Sequence, residues 1–292
     1  MLLSPEVVRR YQEVGYAFLP QVIEPKWLGL IEKGIQRNLE NPSPWSTSYQ
    51  KSRGEFFSDH SNFSVNPEFQ EVIYDSPIVD YLTELMGADR SWLYYDQIFY
   101  KTGEAVRTGW HQDMPYYLMQ DGMQVTGAWL TLDPLPKAFT LEVVSGSHKG
   151  PLYNAVNGKK PTEMGFDVGG ERTPDIEADR EAFDIVSFDH KPGDLLVLHP
   201  QMLHGGAPMV PGMGRRRTMT LNIFGPEMLY QPRPDGYAPT FPGLEKVLQP
   251  GDPLHWAADK GLFHQLRPLP AQKLGVLPDY DMLHGGRPAE VA

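Results

Sequence analysis

Two hydrophobic periods divide the chain. Up to about residue 91 the apolar positions recur every three or four residues, and from Trp92 they alternate with polar ones. Ser4-Pro5-Glu6 places a capping hydroxyl ahead of a proline at the first helical position. Val8, Tyr11 and Val14 follow at helical spacing, and Gly15 offers a C-cap. Tyr16 to Pro20 reads as a short strand. Glu24-Pro25 opens a second helix with the face Trp27, Leu28, Ile31, Ile35 and Leu39. Asn66-Pro67 and Ser76-Pro77 open two more, the last carrying Ile78, Leu82 and Leu85 before Gly87 ends it.

The alternating part predicts strands over Leu93–Tyr100, Thr126–Leu132, Leu141–Val144, Leu195–His199 and Arg216–Phe224. A long loop, 149–185, is rich in Gly, Pro and charge, as functional rims and lids often are. After Phe224 the prolines 232, 234, 239, 242 and 250 interrupt regular structure, leaving either an ordered wrap or a mobile tail. The expected organisation is one domain over 1–292, mainly β with flanking helices. It comprises a mainly helical part at 1–91, a β-rich core at 92–224 and a Pro/Gly-rich segment at 225–292. The one internal echo is Met202-Leu203-His204-Gly205-Gly206, repeated at 282–286 and read as chance because no strand precedes His284.

Composition then narrows the chemistry. A hydrophobic content of 40% suffices for a core, and a net charge of −11 disfavours nucleic acid and anionic membrane surfaces as partners. No apolar run reaches the roughly 20 residues a membrane span needs. The start Met1-Leu2-Leu3-Ser4-Pro5-Glu6 lacks the pattern of a secretory signal, and the end Pro288-Ala289-Glu290-Val291-Ala292 lacks a peroxisomal tripeptide, so a cytoplasmic location is expected. The absence of cysteine removes thiolate metal sites and cysteine nucleophiles, so any metal must be held by His, Asp or Glu.

His111 and Asp113 stand two residues apart after a Gly-containing loop. In an extended segment both would face the same way. His204 follows a buried-looking strand and can complete the set. Two imidazoles and one carboxylate on one face of an octahedral ion leave three open positions, the arrangement of non-haem iron oxygenases. A keto acid chelating through two oxygens, with dioxygen in the third place, would fill them. On the strand that starts near Arg216, that residue shares a polar side with Thr218, Thr220 and Asn222, while Met219, Leu221 and Ile223 face the other way. An arginine there can grip a distal carboxylate of 2-oxoglutarate with two parallel hydrogen bonds. Arg215 is its rival; strand phase favours Arg216.

Six blocks in order resemble the phytanoyl-CoA dioxygenase family of iron(II)- and 2-oxoglutarate-dependent oxygenases. They are Glu13 to Pro20 after the opening helix, Tyr100-Lys101 leading to Trp110-His111-Gln112-Asp113, Trp129 to Asp133, Leu141 to His148, Gly193 to Leu196, and His204-Gly205 with Arg216-Arg217-Thr218. The resemblance implies a double-stranded β-helix, a jelly-roll of cupin type, with the N-terminal helices packed on one sheet. It implies iron(II) on His111, Asp113 and His204, 2-oxoglutarate on Arg216, and Trp129 lining the cosubstrate pocket, with O2 as the second cosubstrate. Gln97 and Thr218 are further cosubstrate candidates, and Tyr95, Tyr116 and Tyr117 are substrate candidates. Two departures stand out. Gly206 replaces a serine that the family often carries there, and Pro136 to Thr140 replaces an acidic Asn-Gly turn. The resemblance further implies hydroxylation of a small metabolite or natural-product intermediate, with succinate and CO2 released. The alternatives are desaturation, cyclisation, or a silent metal-binding jelly-roll. His148 and His199 read as structural.

Overall fold

The computed structural model describes residues 2–51, 54–105, 107–156, 163–233 and 241–277. The echo at 282–286, the C-terminal residues, Pro234 and Pro239 lie outside the described residues.

Four helices form where the caps predict them: α1 Pro5–Val14, α2 Pro25–Glu40, α3 Pro67–Asp75 and α4 Ile78–Leu85. The Ser4 hydroxyl accepts from the Val7 N–H, and Gly15 closes α1 in the left-handed region at φ 83°, donating to the Tyr11 carbonyl at 2.7 Å. A Cβ at Gly15 would fall 2.2 Å from Met202 Sδ and 2.5 Å from His148 Nδ1. Only glycine allows both the backbone angle and this close seating of α1 against the segment before His204.

Among the described residues the strands are, in chain order, β1 Tyr16–Leu19, β2 Thr47–Lys51, β3 Gly54–His60, β4 Ser91–Gly103, β5 Thr108–His111, β6 Val125–Thr131, β7 Leu141–Val144, β8 Ala155–Val156, β9 Met164–Phe166, β10 Ile185–Ser187, β11 Leu195–Leu198, β12 His204–Gly206, β13 Arg215–Phe224 and β14 His264–Arg267. The major sheet runs β1-β11-β6-β13-β4-β3-β2, with β14 also paired to β4, and the minor sheet runs β10-β7-β12-β5. Their pairings are antiparallel. Two antiparallel sheets around a shared interior are the jelly-roll that the resemblance implies.

Strand parity divides β13 between two environments. Met219, Leu221 and Ile223 join the helix residues Ile31, Ile35, Ile73 and Leu82 in the main core, while Arg216, Thr218, Thr220 and Asn222 line the interior between the sheets. Ile31, Ile73 and Leu82 are fully buried, and truncating any one to alanine would cost about 2–5 kcal/mol. The helical layer thus covers the outer side of the major sheet, leaving its inner side free for chemistry.

The sequence pattern did not reveal the β8–β9 pair inside the segment 149–185 read as a loop, nor three parts that bear on the core. The β2–β3 hairpin lies within the first 91 residues yet extends the major sheet through β4. The three-residue strand β12 carries His204 between β5 and β7. Within the described residues, the segment after Phe224 is an ordered wrap. Phe241, Leu244, Leu248, Leu254 and Phe263 pack with Trp92, Tyr94 and Phe224 in a second apolar cluster, and β14 joins the sheet edge.

Candidate metal centre and active-site cavity

Antiparallel pairing of β5 with β12 puts His204 directly opposite His111, with ring centroids 4.2 Å apart. Asp113 departs from the extended geometry expected for it. β5 ends at His111, and Asp113 adopts helical backbone angles (φ −83°, ψ −29°) at the start of a 3-10 turn, Met114–Tyr116. Its N–H and that of Met114 both donate to the Pro200 carbonyl, at 2.8 and 3.0 Å, which ties the turn to the end of β11. Gln112 between them is buried and turned away, donating to the Gln201 and Pro151 carbonyls and accepting from the Tyr153 N–H.

The donor atoms of His111, Asp113 and His204 all lie within 4.8 Å of one another. His111 Nε2 stands 3.5 Å and His204 Nε2 3.8 Å from the same oxygen of Asp113. Donors about 2.1 Å from one ion, at right angles to each other, would be separated by about 3 Å, so the set fits a first-row divalent metal after small side-chain adjustments. Each ring holds its other nitrogen against a backbone carbonyl, His111 Nδ1 on Gly109 at 2.8 Å and His204 Nδ1 on Met202 at 3.0 Å. That contact keeps the proton on Nδ1 and turns Nε2 to the common point. Burial alone would raise Asp113, but the positive field of His204 and the hydrogen bond and charge of His111 beside it outweigh burial and hold the carboxylate below its ordinary range.

The three side chains sit at one side of a cavity enclosed by both sheets. Its walls include Tyr95, Gln97, Phe99 and Lys101 from β4, Trp129 from β6, and Arg216, Thr218, Thr220 and Asn222 from β13. The β4 and β13 residues are cross-strand partners in register: Asn222 with Tyr95, Thr220 with Gln97, Thr218 with Phe99, and Arg216 with Lys101. Trp129 pairs with Thr220 from the other side. Gln97 donates its amide to Ser58 Oγ at 2.9 Å, which anchors it to β3.

The run Arg215-Arg216-Arg217 separates cleanly. Arg216 is buried and lines the cavity. Arg215 is exposed, 3.7 Å from Asp133, and Arg217 is buried in ion pairs with Asp133 and Glu32. Tyr117 lies behind the wall with its hydroxyl 3.4 Å from that of Tyr95, and Tyr116 points to the β8–β9 hairpin, donating to the Val156 carbonyl at 2.7 Å. Neither lines the cavity; Tyr95 does. His199 also reaches the wall, yet both its nitrogens are engaged, Nε2 on the Gly122 carbonyl and Nδ1 accepting from the Gln201 N–H. His148 lies beside it, with Nε2 on the Gln12 carbonyl.

Gly206 is the register partner of Thr108, whose Oγ1 stands 3.2 Å from where a Cβ at 206 would be. The hydroxyl that a serine would bring at 206 is therefore present on the neighbouring strand. Lys101 and Thr108 are wall residues that sequence reasoning did not single out, although Lys101 continues the parity of Tyr95, Gln97 and Phe99.

A jelly-roll with two imidazoles and a carboxylate clustered at an interior cavity defines the class of non-haem metal oxygenases. The profile of the family described as phytanoyl-CoA dioxygenase matches residues 11–217, and the chain belongs to that family of iron- and 2-oxoglutarate-dependent oxygenases. Its fold is shared with solved structures at low identity. One is the non-heme alpha ketoglutarate dependent carbocyclase SnoK from nogalamycin biosynthesis, 20% identical, with a TM-score of 0.64 over 91% of this chain and 97% of that one. The epimerase SnoN, solved with Fe3+, alpha ketoglutarate and nogalamycin RO, is 18% identical, with a TM-score of 0.65 over 90% and 98%. EctD from S. alaskensis, solved with 2-oxoglutarate and 5-hydroxyectoine, is 19% identical, with a TM-score of 0.61 over 86% and 85%. No curated protein sequence matches the chain. Among the described residues no helix is long and apolar enough to cross a membrane.

Proposed function

We propose that this protein hydroxylates a C–H bond of a small metabolite or natural-product intermediate, with iron(II) held by His111, Asp113 and His204 and 2-oxoglutarate held by Arg216. One observation carries the reading: the three metal-ready side chains and a buried arginine line the same cavity. Arg216 gives one N–H group to the Phe139 and Ala207 carbonyls, at 3.2 and 3.3 Å, and among the described residues it has no carboxylate partner. A buried guanidinium without an acid beside it is costly unless a ligand supplies the anion.

When bound, iron(II) and 2-oxoglutarate together supply dioxygen activation, with succinate and CO2 as co-products. The chain's own residues position and enclose. Arg216 can present two parallel donors to a distal carboxylate, and Thr218 and Trp129 shape the space between it and the metal ligands. Gln97, fixed by Ser58, and Tyr95, backed by Tyr117, face the remaining volume where a substrate carbon would lie. With Asp113 in the carboxylate position, the chain keeps a ligand that a halide would otherwise have to replace, which supports hydroxylation over halogenation. The cavity, at ≈ 170 Å³, suits a small ligand. Likeness to SnoK, SnoN and EctD supports the same pairing of metal and keto acid.

The test is a metabolite screen scored by substrate-stimulated succinate formation from 2-oxoglutarate and iron(II), with the product followed by mass. The expected result is gain of one oxygen traced to labelled dioxygen, and no succinate from a His111→Ala variant. A product lighter by two hydrogens would replace hydroxylation with desaturation or ring closure.

A further inference from the structure

Cross-strand register orders one wall of the cavity in steps, from Arg216 with Lys101, through Thr218 with Phe99 and Thr220 with Gln97, to Asn222 with Tyr95. At about 3.3 Å per residue, β13 puts about 20 Å between the first step and the last. The basic side chains stand at the Arg216 end. Register links Asn222 to Gly127 and Gly127 to Leu198, so the far end is built of Tyr95, Asn222, Gly127 and Leu198, none of them charged. A five-carbon keto acid spans about 6 Å at 1.5 Å per bond, so one gripped by Arg216 leaves this far end to the second reactant. Asn222 is 4% exposed, and its side-chain amide forms no hydrogen bond among the described residues. Its wall neighbours are anchored, Gln97 on Ser58 and Tyr95 against the Tyr117 hydroxyl. Glycine at 127 makes room for the amide, because a Cβ there would lie 2.4 Å from Asn222 Oδ1. An amide withdrawn from water with donor and acceptor both open is costly unless a ligand meets them.

We propose that Asn222 selects the substrate, recognising a neutral carboxamide or lactam edge that offers a hydrogen-bond donor and an acceptor side by side. This rests on the reading of Arg216 as the cosubstrate clamp, which assigns the opposite end of the cavity to the keto acid. The Asn222 side chain carries an acceptor oxygen and a donor nitrogen, the complement of such an edge: the ligand N–H donates to Oδ1 and its carbonyl accepts from Nδ2. A ketone offers an acceptor only and an ammonium offers donors only. Each would leave one half of the buried amide unpaired, and a site built to form a hydrogen bond rejects a ligand that lacks the matching group. The Tyr95 ring and Leu198 add apolar contact beside the polar edge. Asn222 is thus a specificity residue that should leave binding of the keto acid untouched.

The test uses the full chain loaded with manganese(II) and 2-oxoglutarate, and three probes that share one ring: cyclohexanecarboxamide, its isostere cyclohexyl methyl ketone, and cyclohexylmethylammonium. Binding is read from the relaxation that the bound manganese(II) imposes on the ring protons, and 2-oxoglutarate affinity from calorimetry. The wild type should bind the carboxamide about tenfold or more tightly than either other probe. Asn222→Leu, of similar shape, should lose about tenfold in carboxamide affinity, the loss of hydrogen bonding in a dry site, with 2-oxoglutarate affinity unchanged. Asn222→Asp should turn the preference towards the ammonium, and it preserves the side-chain shape if leucine impairs folding. Gly127→Ala, which crowds Oδ1, should weaken the carboxamide without altering residue 222. Equal or unmeasurable wild-type binding of the three probes overturns the role of Asn222 while 2-oxoglutarate binding still supports Arg216, and so does a preference that survives in both Asn222 variants. Loss of 2-oxoglutarate affinity in Asn222→Leu overturns it by placing the residue at the cosubstrate. A wild type that binds no 2-oxoglutarate overturns the reading of Arg216, and the proposal with it.

Discussion

His111 and His204 are register partners on adjacent strands, and each fixes its Nδ1 on the carbonyl two residues earlier in its own chain segment, Gly109 and Met202. The two rings are therefore oriented by backbone before any ion arrives. Strand pairing sets their separation and the carbonyls set their tautomers, so little ordering remains to be done on metal binding.

Metal affinity should follow this geometry rather than histidine content. Even the loss of an outer-shell partner commonly costs about 10–100-fold in affinity, so His111→Ala and His204→Ala should each lower manganese(II) affinity by at least about a hundredfold. His148→Ala and His199→Ala should bind manganese(II) as the wild type does, whatever they cost in stability. Titration followed by electron paramagnetic resonance separates the two pairs. Metal binding that survives loss of His111 would dismantle the proposed centre.

The three consecutive arginines should give three distinct phenotypes. Arg216→Lys keeps a cation but not the two parallel donors, so affinity for 2-oxoglutarate should drop by about tenfold or more with the fold intact. Arg217→Ala strands Asp133, which is largely buried, and should destabilise by about 3 kcal/mol with keto-acid affinity retained. Arg215→Ala breaks only a long, exposed pair and should change stability by less than about 0.5 kcal/mol. Urea melts paired with calorimetry read all three, and equal effects at 216 and 215 would contradict the assignment.

Most of what positions the centre was legible in the sequence because it depends on local rules. Ser4, Gly15 and Asn66 act at helix ends through their own backbone and side-chain chemistry. The alternation on β13 placed Arg216 inside and Met219 outside without knowledge of any neighbour. What was missed depends on partners far along the chain. β12 is His-Gly-Gly, with no strand propensity of its own, and it exists because β5 and β7 flank it. The segment after Phe224 reads from sequence equally as a wrap or a tail because its prolines break regular structure, and only its burial of Phe241 and Phe263 against Tyr94 decides for the wrap. Tyr116 and Tyr117 could not be told apart by position alone, since a 3-10 turn sends one to the β8–β9 hairpin and the other behind Tyr95. Lys101 had the right parity, but a lysine on a strand is ordinarily a solvated one.

His190 offers a test of the fold's acid limit that is independent of the metal centre. Its ring is 2% exposed and edge-on to Phe18 and Trp129, at 5.1 and 4.8 Å, and neither nitrogen has a hydrogen-bond partner among the described residues. Burial pushes it down to about 4, as it does His60 and His199. Between about pH 6.5 and pH 4 the unfolded chain therefore binds protons at these positions that the folded chain does not. Stability must fall as pH drops through that window, by up to about 1.4 kcal/mol per pH unit for each histidine. His190→Leu removes one of the three contributions and also an unpartnered polar ring. The variant should be at least as stable as the wild type at pH 7 and should lose less stability between pH 6.5 and 4.5, measured by urea melts across that range. A variant that is less stable at pH 7 and has the same acid slope would mean that the His190 ring is hydrogen-bonded in solution and titrates normally.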